Sequence, residues 1–130
     1  MTAQGRRRAA TFGMAALVFL LLAAAALAGT TIKGSYGRTV SGAGAQLNGR
    51  WVIAFMGNGR YSVALKGHII GKGRISVQGG KATLLDSACK ATQTGKYTYT
   101  LKGAVLTFTR ISDPCSGRSA VLAKPLNQMM

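Results

Sequence analysis

The fold is decided by residues 49–65, which read GRWVIAFMGNGRYSVAL. Trp51, Ile53 and Phe55 fall on every second position, and this period is typical of a β-strand that buries one face. Asn58 and the glycine after it form the dipeptide that tight hairpin turns prefer. A second alternating run follows, so the stretch predicts an antiparallel hairpin with one apolar side.

Short runs of the same kind continue along the chain, divided by glycine-containing turns. They cover residues 68–77, 82–85, 97–101, 105–111 and 117–124. No window after residue 28 has a helical period. With the first hairpin this makes seven strands, or eight if residues 31–40 also pair. The sequence therefore predicts an all-β fold, a small antiparallel up-and-down barrel.

The N-terminus has the features of an export signal. Three arginines at positions 6–8 precede an apolar run over residues 14–27, and Ala26-Leu27-Ala28 has the small-x-small pattern that signal peptidase accepts. We expect residues 1–28 to be a signal peptide, cleaved near Ala28. The mature protein would then lie in the periplasm, in the cell envelope or outside the cell. An uncleaved N-terminal membrane anchor is the alternative.

The mature chain divides by composition into three parts. Residues 29–46 are rich in Gly, Ser and Ala and predict a flexible leader, residues 47–125 the barrel, and residues 126–130 a tail. Cys89 and Cys115 are the only cysteines, and an oxidising compartment would join them in a disulfide. Two free thiols are the alternative. Two distant cysteines and one histidine do not suggest a metal site.

The titratable residues argue against catalysis. The chain has 17 Lys+Arg and 2 Asp+Glu, a formal net charge of +15. Asp86, Asp113 and His68 are too few for a paired-carboxylate hydrolase, an EF-hand or a nucleophile–base–acid triad. A disulfide would bring the two aspartates onto one rim, although each also suits a turn. We expect no enzyme activity, no cofactor and no metal.

One motif carries a family resemblance. Gly49 and Trp51 form a Gly-x-Trp that resembles the first-strand signature of lipocalins, small β-barrels that hold ligands in their mouths. In that family an arginine on the last strand lies across the tryptophan ring and closes the barrel floor. Arg118 is the position that matches it. The later order Gly-x-Tyr, Leu-Thr-Phe and Asp-x-Cys-x-x-Arg is similar to small exported bacterial lipocalin-like (calycin-type) proteins of undefined function.

The resemblance covers residues 47–125 and implies a barrel with ligand-lining side chains. The chain departs from the family in its short length and in having no counterpart of the C-terminal helix. The candidate lining residues are Trp51, Phe55, Tyr61, Tyr97, Tyr99, Phe108 and Arg118. In a barrel this small, the same aromatic residues could instead fill the core.

The basic charge suggests a second kind of partner. Many cations fall at predicted hairpin ends: Arg60, Lys66, Lys72, Lys81 and Lys102. Such rings attract envelope polyanions or an anionic membrane surface. Nucleic acid is not expected, because the aromatic residues alternate inward instead of lying among the exposed cations.

Three functions follow from these observations. The first is an exported, non-catalytic binding protein whose barrel holds a small apolar or anionic amphipathic ligand. The second is a basic envelope-associated interaction module with a solid core that binds surface polyanions. The third is a small barrel inhibitor of a secreted enzyme. The oligomeric state is left open.

Overall fold

The computed structural model describes residues 31–129, which form eight strands and one helix. The predicted signal peptide and the anchor that is its alternative lie outside the described residues. The elements are β1 Lys33–Val40, β2 Gly49–Met56, β3 Arg60–Leu65, β4 His68–Gln78, β5 Lys81–Asp86, β6 Gly95–Lys102, β7 Val105–Ser112, α1 Ser116–Leu122 and β8 Leu126–Gln128.

The strands close into an antiparallel barrel in chain order, with β8 paired to β1. This confirms the predicted all-β, up-and-down barrel, in its eight-strand form. Short turns at residues 57–59, 79–80 and 103–104 lie at one end, called the turn end. The connections 41–48, 66–67 and 87–94 and helix α1 lie at the other, called the helix end.

Strand β1 lies within the segment that its composition assigns to a flexible leader, and it confirms the alternative in which residues 31–40 pair as an eighth strand. β1 pairs with β2 over its whole length and buries Ile32, Tyr36 and Val40 at or beside it. Gly34 and Arg38 lie between these residues on the same side of the strand. Because neither is apolar, the sequence does not show the alternation that is typical of a strand.

The predicted last strand was wrong. Residues 117–124 hold helix α1, and the closing strand β8 falls in the predicted tail. Arg118, Val121 and Leu122 are buried on one face of the helix at the spacing i, i+3, i+4. Pro114 precedes the helix and Pro125 follows it, so the segment is too short to show a helical period.

The turn of the first predicted hairpin spans residues 57–59 instead of the two-residue Asn-Gly turn, because Asn58 does not have the positive φ that a type I′ turn requires. Gly57 and Gly59 have φ of 80° and 81°, in the region that glycine adopts without steric cost. Lys66 and Gly67 have φ of 53° and 81°, the pattern of a type I′ turn that joins β3 tightly to β4. The first predicted hairpin is therefore confirmed.

Aromatic side chains fill much of the barrel. The Phe55 ring lies 6.2 Å from Tyr36, 5.8 Å from Tyr61 and 6.4 Å from Phe108, measured between centroids. These offset and edge contacts are favourable. The described part from Thr31 onward forms one compact unit with its own core.

Candidate functional site

Arg118 organises the helix end of the barrel. It lies on the inner face of α1 and is 8 % exposed. Its Nε and Nη2 donate to the two carboxylate oxygens of Asp113, each at 2.8 Å. Nη1 donates to Asp86 Oδ2 at 3.3 Å, and Nη2 also donates to the Gln93 carbonyl at 2.5 Å. One buried guanidinium therefore binds both acidic side chains of the sequence.

Each carboxylate has further donors. The Tyr61 hydroxyl donates to Asp86 at 2.6 Å, and the Tyr97 hydroxyl donates to Asp113. Each aspartate also accepts the backbone N–H two residues further on, at 3.1 Å for Asp86 and 2.9 Å for Asp113. This is the Asx turn for which aspartate is favoured. We call the side chains of Tyr61, Asp86, Tyr97, Asp113 and Arg118 the buried ion cluster.

The predicted disulfide is present beside the cluster. Cys89 and Cys115 are joined, with their Cα atoms 5.9 Å apart. The bond links the connection after β5 to the start of α1, and so holds the segments that follow the two aspartates. Gly95 leaves room for the cluster, because a Cβ there would lie 2.8 Å from Arg118 Nε.

The cluster shifts the acidity of its members. Burial raises the pKa of Tyr61 and of Tyr97, and their hydrogen bonds to carboxylates raise it further. Burial alone would raise the pKa of Asp113, but hydrogen bonds from Arg118, Tyr97 and the Cys115 N–H outweigh it, and the pKa lies below its ordinary value. The tyrosines therefore stay neutral and Asp113 stays charged near neutral pH.

A cavity of about 200 Å³ lies between the cluster and the barrel wall. Its lining is mostly apolar, with Asp86 and Arg118 as charged exceptions. It includes Leu47, Trp51, Ile53, Tyr61, Val63, Ile70, Leu84, Asp86, Cys89, Cys115, Arg118, Val121 and Leu122. The volume is below the roughly 300–1,000 Å³ of sites for drug-sized ligands.

The predicted lining residues divide between two places. Trp51, Tyr61 and Arg118 line the cavity. The remaining four pack in or against the aromatic core; they are Phe55, Tyr97, Tyr99 and Phe108. The core alternative therefore describes most of the predicted set.

Arg118 and Trp51 line the same cavity, and each has hydrogen-bond partners of its own. The Trp51 indole N–H donates to the Leu47 carbonyl at 2.7 Å and fixes the connection before β2. The Arg118 guanidinium is bound by the carboxylates of Asp86 and Asp113. A buried carboxylate offers a cation more stabilisation than an aromatic face does, and two buried carboxylates need a cation.

Sequence reasoning placed the two aspartates on one rim but missed that they are the partners of Arg118. It also missed the Gln93 carbonyl and the helix face formed by Val121 and Leu122. One signal could have found the pairing. The only acidic residues of a strongly basic chain each stand within three residues of a cysteine.

Every exposed charged side chain in the described residues is a cation. Of the 14 lysines and arginines between positions 31 and 129, 12 are exposed, Arg38 is half-buried and Arg118 is buried. The side chains of Asp86 and Asp113 are 3 % and 0 % exposed. No carboxylate side chain therefore neutralises the exposed cations of this part of the chain.

Three of these cations meet in a shallow groove on β3 and β4. Arg60 and Arg74 are direct cross-strand partners, and Lys72 lines the same groove. Like charges placed directly opposite each other on neighbouring strands are destabilising. This arrangement, the β3–β4 groove, is a local concentration of positive charge.

Comparisons with known proteins identify no relative. No protein-family model matches the chain, and neither a curated protein nor a solved structure matches it.

Within residues 31–129, no three His, Cys, Asp or Glu side chains are grouped to hold a metal ion. Among the same residues, no helix combines the length and the apolar character that a membrane span needs.

Proposed function

We propose that the protein is an exported, non-catalytic binding protein that recognises anionic surfaces or polymers through its cationic exterior. The observation that carries the proposal is the burial of both carboxylates of the chain in one cluster. Twelve exposed cations are left without an exposed acidic side chain in the described residues. Such a surface produces a positive potential that attracts polyanions and lipid headgroups.

The β3–β4 groove supports the same function locally. Arg60 and Arg74 repel each other across the strand pair, and Lys72 adds to the repulsion. A bound phosphate, sulfate or carboxylate would relieve it. The disulfide is consistent with export, because such bonds persist in oxidising compartments.

The experiment is a titration of the mature chain, residues 29–130, with polyphosphate at low and high salt. We expect saturable binding that weakens steeply as salt screens the charges. The variant Arg60→Gln/Lys72→Gln/Arg74→Gln should bind more weakly than the control Lys33→Gln/Lys81→Gln/Lys102→Gln. Both variants lose three exposed charges. Absence of wild-type binding at low salt would refute the proposal.

A small ligand in the cavity is the second candidate function. The cavity has an apolar wall and two charged groups, which suits a compact molecule with one polar end. An apolar cavity of about 150 Å³ can hold benzene, so about 200 Å³ accommodates a ligand only slightly larger. A long-chain fatty acid would not fit, because the aromatic cluster fills the space beyond.

A lipocalin-like identity belongs to this second candidate. The closed eight-strand barrel supports it, and the partners of Arg118 count against it. Trp51 emission, followed during titration with small aromatic molecules, tests the candidate, because Trp51 is the only tryptophan and lines the cavity. Binding that is insensitive to salt would support it.

A further inference from the structure

The tip of the β3–β4 hairpin exposes two neighbouring isoleucines at the helix end. Ile69 is 61 % exposed, more than any other large apolar side chain in the described residues, and Ile70 is 44 % exposed. Only His68 separates them from the tight turn at Lys66 and Gly67. A bulge at this point leaves Ile70 without a direct partner on β3. Other large apolar side chains are also exposed, such as Ile111 at 54 % and Met56 at 51 %, but Ile69 and Ile70 are the only two of them in the described residues that are consecutive in the chain.

Cations surround this pair of isoleucines. Lys66 precedes the isoleucines and its backbone N–H bonds to the Arg50 carbonyl, which brings Arg50 beside the turn. Lys72 follows two residues after Ile70. All three cations are exposed. The tip thus joins exposed apolar area to positive charge within a single hairpin.

We infer that the β3–β4 hairpin docks the protein on an anionic lipid bilayer, with Ile69 and Ile70 inserted at the boundary between headgroups and acyl chains. This inference rests on the proposed function for its electrostatic part. A bilayer surface supplies both features that the tip requires, negative headgroups and an apolar layer beneath them. A soluble polyanion supplies only the charge.

The spacing along β4 fits the depth of a bilayer surface. A strand rises about 3.4 Å per residue, so Lys72 lies roughly 7 Å and Arg74 roughly 14 Å from Ile70 along the strand. The headgroup layer on each side of a bilayer is about 5–8 Å thick. With Ile70 at the edge of the hydrocarbon, Lys72 lies among the headgroups. Arg74 lies outside them, roughly within one Debye length.

The charge around the hairpin tip argues against a second copy of the chain as its binding partner. Two copies docked through these tips would bring Arg50, Lys66 and Lys72 of each molecule close to those of the other. The described part has no exposed acidic side chain that could pair with them. A bilayer of anionic lipid has the complementary charge instead.

The test compares vesicles with a soluble polyanion. The mature chain is mixed with vesicles of phosphatidylglycerol and phosphatidylcholine in equal parts, and separately with polyphosphate. The variant Ile69→Ser/Ile70→Ser should lose at least about tenfold in vesicle affinity, because two apolar side chains no longer leave water. Its affinity for polyphosphate should equal that of the wild type. The control Leu101→Ser/Ile111→Ser, which changes two exposed apolar residues elsewhere, should bind both as the wild type does.

A second measurement locates the tip directly. In Ile69→Trp the new tryptophan should be quenched by brominated phosphatidylglycerol, whereas Trp51, 6 % exposed, should not be quenched in the wild type. Wild-type vesicle affinity in Ile69→Ser/Ile70→Ser, or no added quenching in Ile69→Trp, would overturn the docking inference and leave the proposed function standing. A dimer of the wild type that the serine variant fails to form would overturn it in favour of a second copy. Loss of both vesicle and polyphosphate binding in the wild type would overturn both proposals.

Discussion

Replacing Arg118 by methionine should destabilise the protein more than any other single loss of a basic side chain. The change removes four hydrogen bonds and leaves two carboxylates, 3 % and 0 % exposed, without a cation. Removing one partner of a buried ion pair costs about 3–5 kcal/mol. The total stability of a domain of this length is roughly 5–15 kcal/mol. The variant should fold but lose a large share of its free energy of unfolding.

Urea unfolding followed by Trp51 emission measures this loss, with the disulfide kept intact. With a loss of about 3–5 kcal/mol and a slope of about 1–3 kcal/mol per molar urea, the midpoint should fall by roughly 1–5 M. The control Arg110→Met removes an exposed arginine whose side chain has a single long hydrogen bond, 3.5 Å to Ser119 Oγ. It should stay within about 0.5 kcal/mol of the wild type.

The pH dependence gives a second signature of the same interaction. The pKa of Asp113 is lowered in the folded state, so its contribution is complete above the unfolded value of about 3.9. That contribution is lost as the pH falls through the lower folded pKa. In Arg118→Met the Asp113 carboxylate loses its cation and its burial favours the protonated form, so the variant should gain stability on acidification towards pH 4. The difference in free energy of unfolding between the wild type and Arg118→Met should therefore decrease as the pH falls.

Neutralising the carboxylates as well should restore part of the loss. The variant Arg118→Met/Asp86→Asn/Asp113→Asn has no uncompensated buried charge, so it should be more stable at neutral pH than Arg118→Met alone. The reasoning would be refuted if Arg118→Met unfolded within about 1 kcal/mol of the wild type at neutral pH and followed the same pH curve.

Three further predictions concern the surroundings of the buried ion cluster, and all are measured by urea or thermal unfolding. Gly95→Ala should destabilise the protein by more than about 1 kcal/mol, because its Cβ would lie 2.8 Å from atoms of the cluster. Gly117→Ala should be neutral or stabilising by up to about 1 kcal/mol, because this position is helical and has room for a Cβ. Equal effects of the two changes would contradict the packing argument. Removal of the disulfide by Cys89→Ala/Cys115→Ala should lower the free energy of unfolding by about 3–4 kcal/mol, because the bond closes a loop of 26 residues in the unfolded chain. An unchanged free energy of unfolding would show that the disulfide does not constrain the unfolded chain. Tyr61→Phe should cost about 1.5–3 kcal/mol, because a buried carboxylate loses a 2.6 Å hydrogen bond; an unchanged midpoint would mean that water replaces the hydroxyl.

The sequence specifies the middle of the barrel well because its local signals agree. From Trp51 to Phe108, alternation and turn glycines point to the same strands, and the structure has them. Agreement fails at both ends of the described chain. β1 carries Gly34 and Arg38 at its inward parity, and α1 is only 7 residues long between two prolines. Both elements depend on long-range pairing, which local patterns do not report.

The candidate site was predicted in its parts but not in its contacts. The disulfide follows from there being two cysteines, and the buried aromatic residues follow from alternation. That Arg118 binds Asp86 and Asp113 depends on α1 folding over the helix end, which brings together residues 32 and 5 positions apart. A resemblance to another barrel supplied a different partner, Trp51. The resemblance singles out Arg118, which does lie at the centre of the site, but its hydrogen-bond partners are Asp86 and Asp113.

The pairing of β1 with β8, which closes the barrel, also affects the order in which the strands pair during folding. Tyr36 pairs with Gln128 across almost the whole described chain, so this contact carries the largest loop-closure entropy of the sheet. The hairpins from β2 to β7 involve neighbours in sequence and can form earlier, as can the disulfide. Until the last pairing, β1 and β7 are open strand edges, which are templates for association with other chains. The pairing with the largest loop-closure cost is therefore also the one before which strand edges stay open, and a disulfide between Cys89 and Cys115 shortens the loop that this pairing has to close.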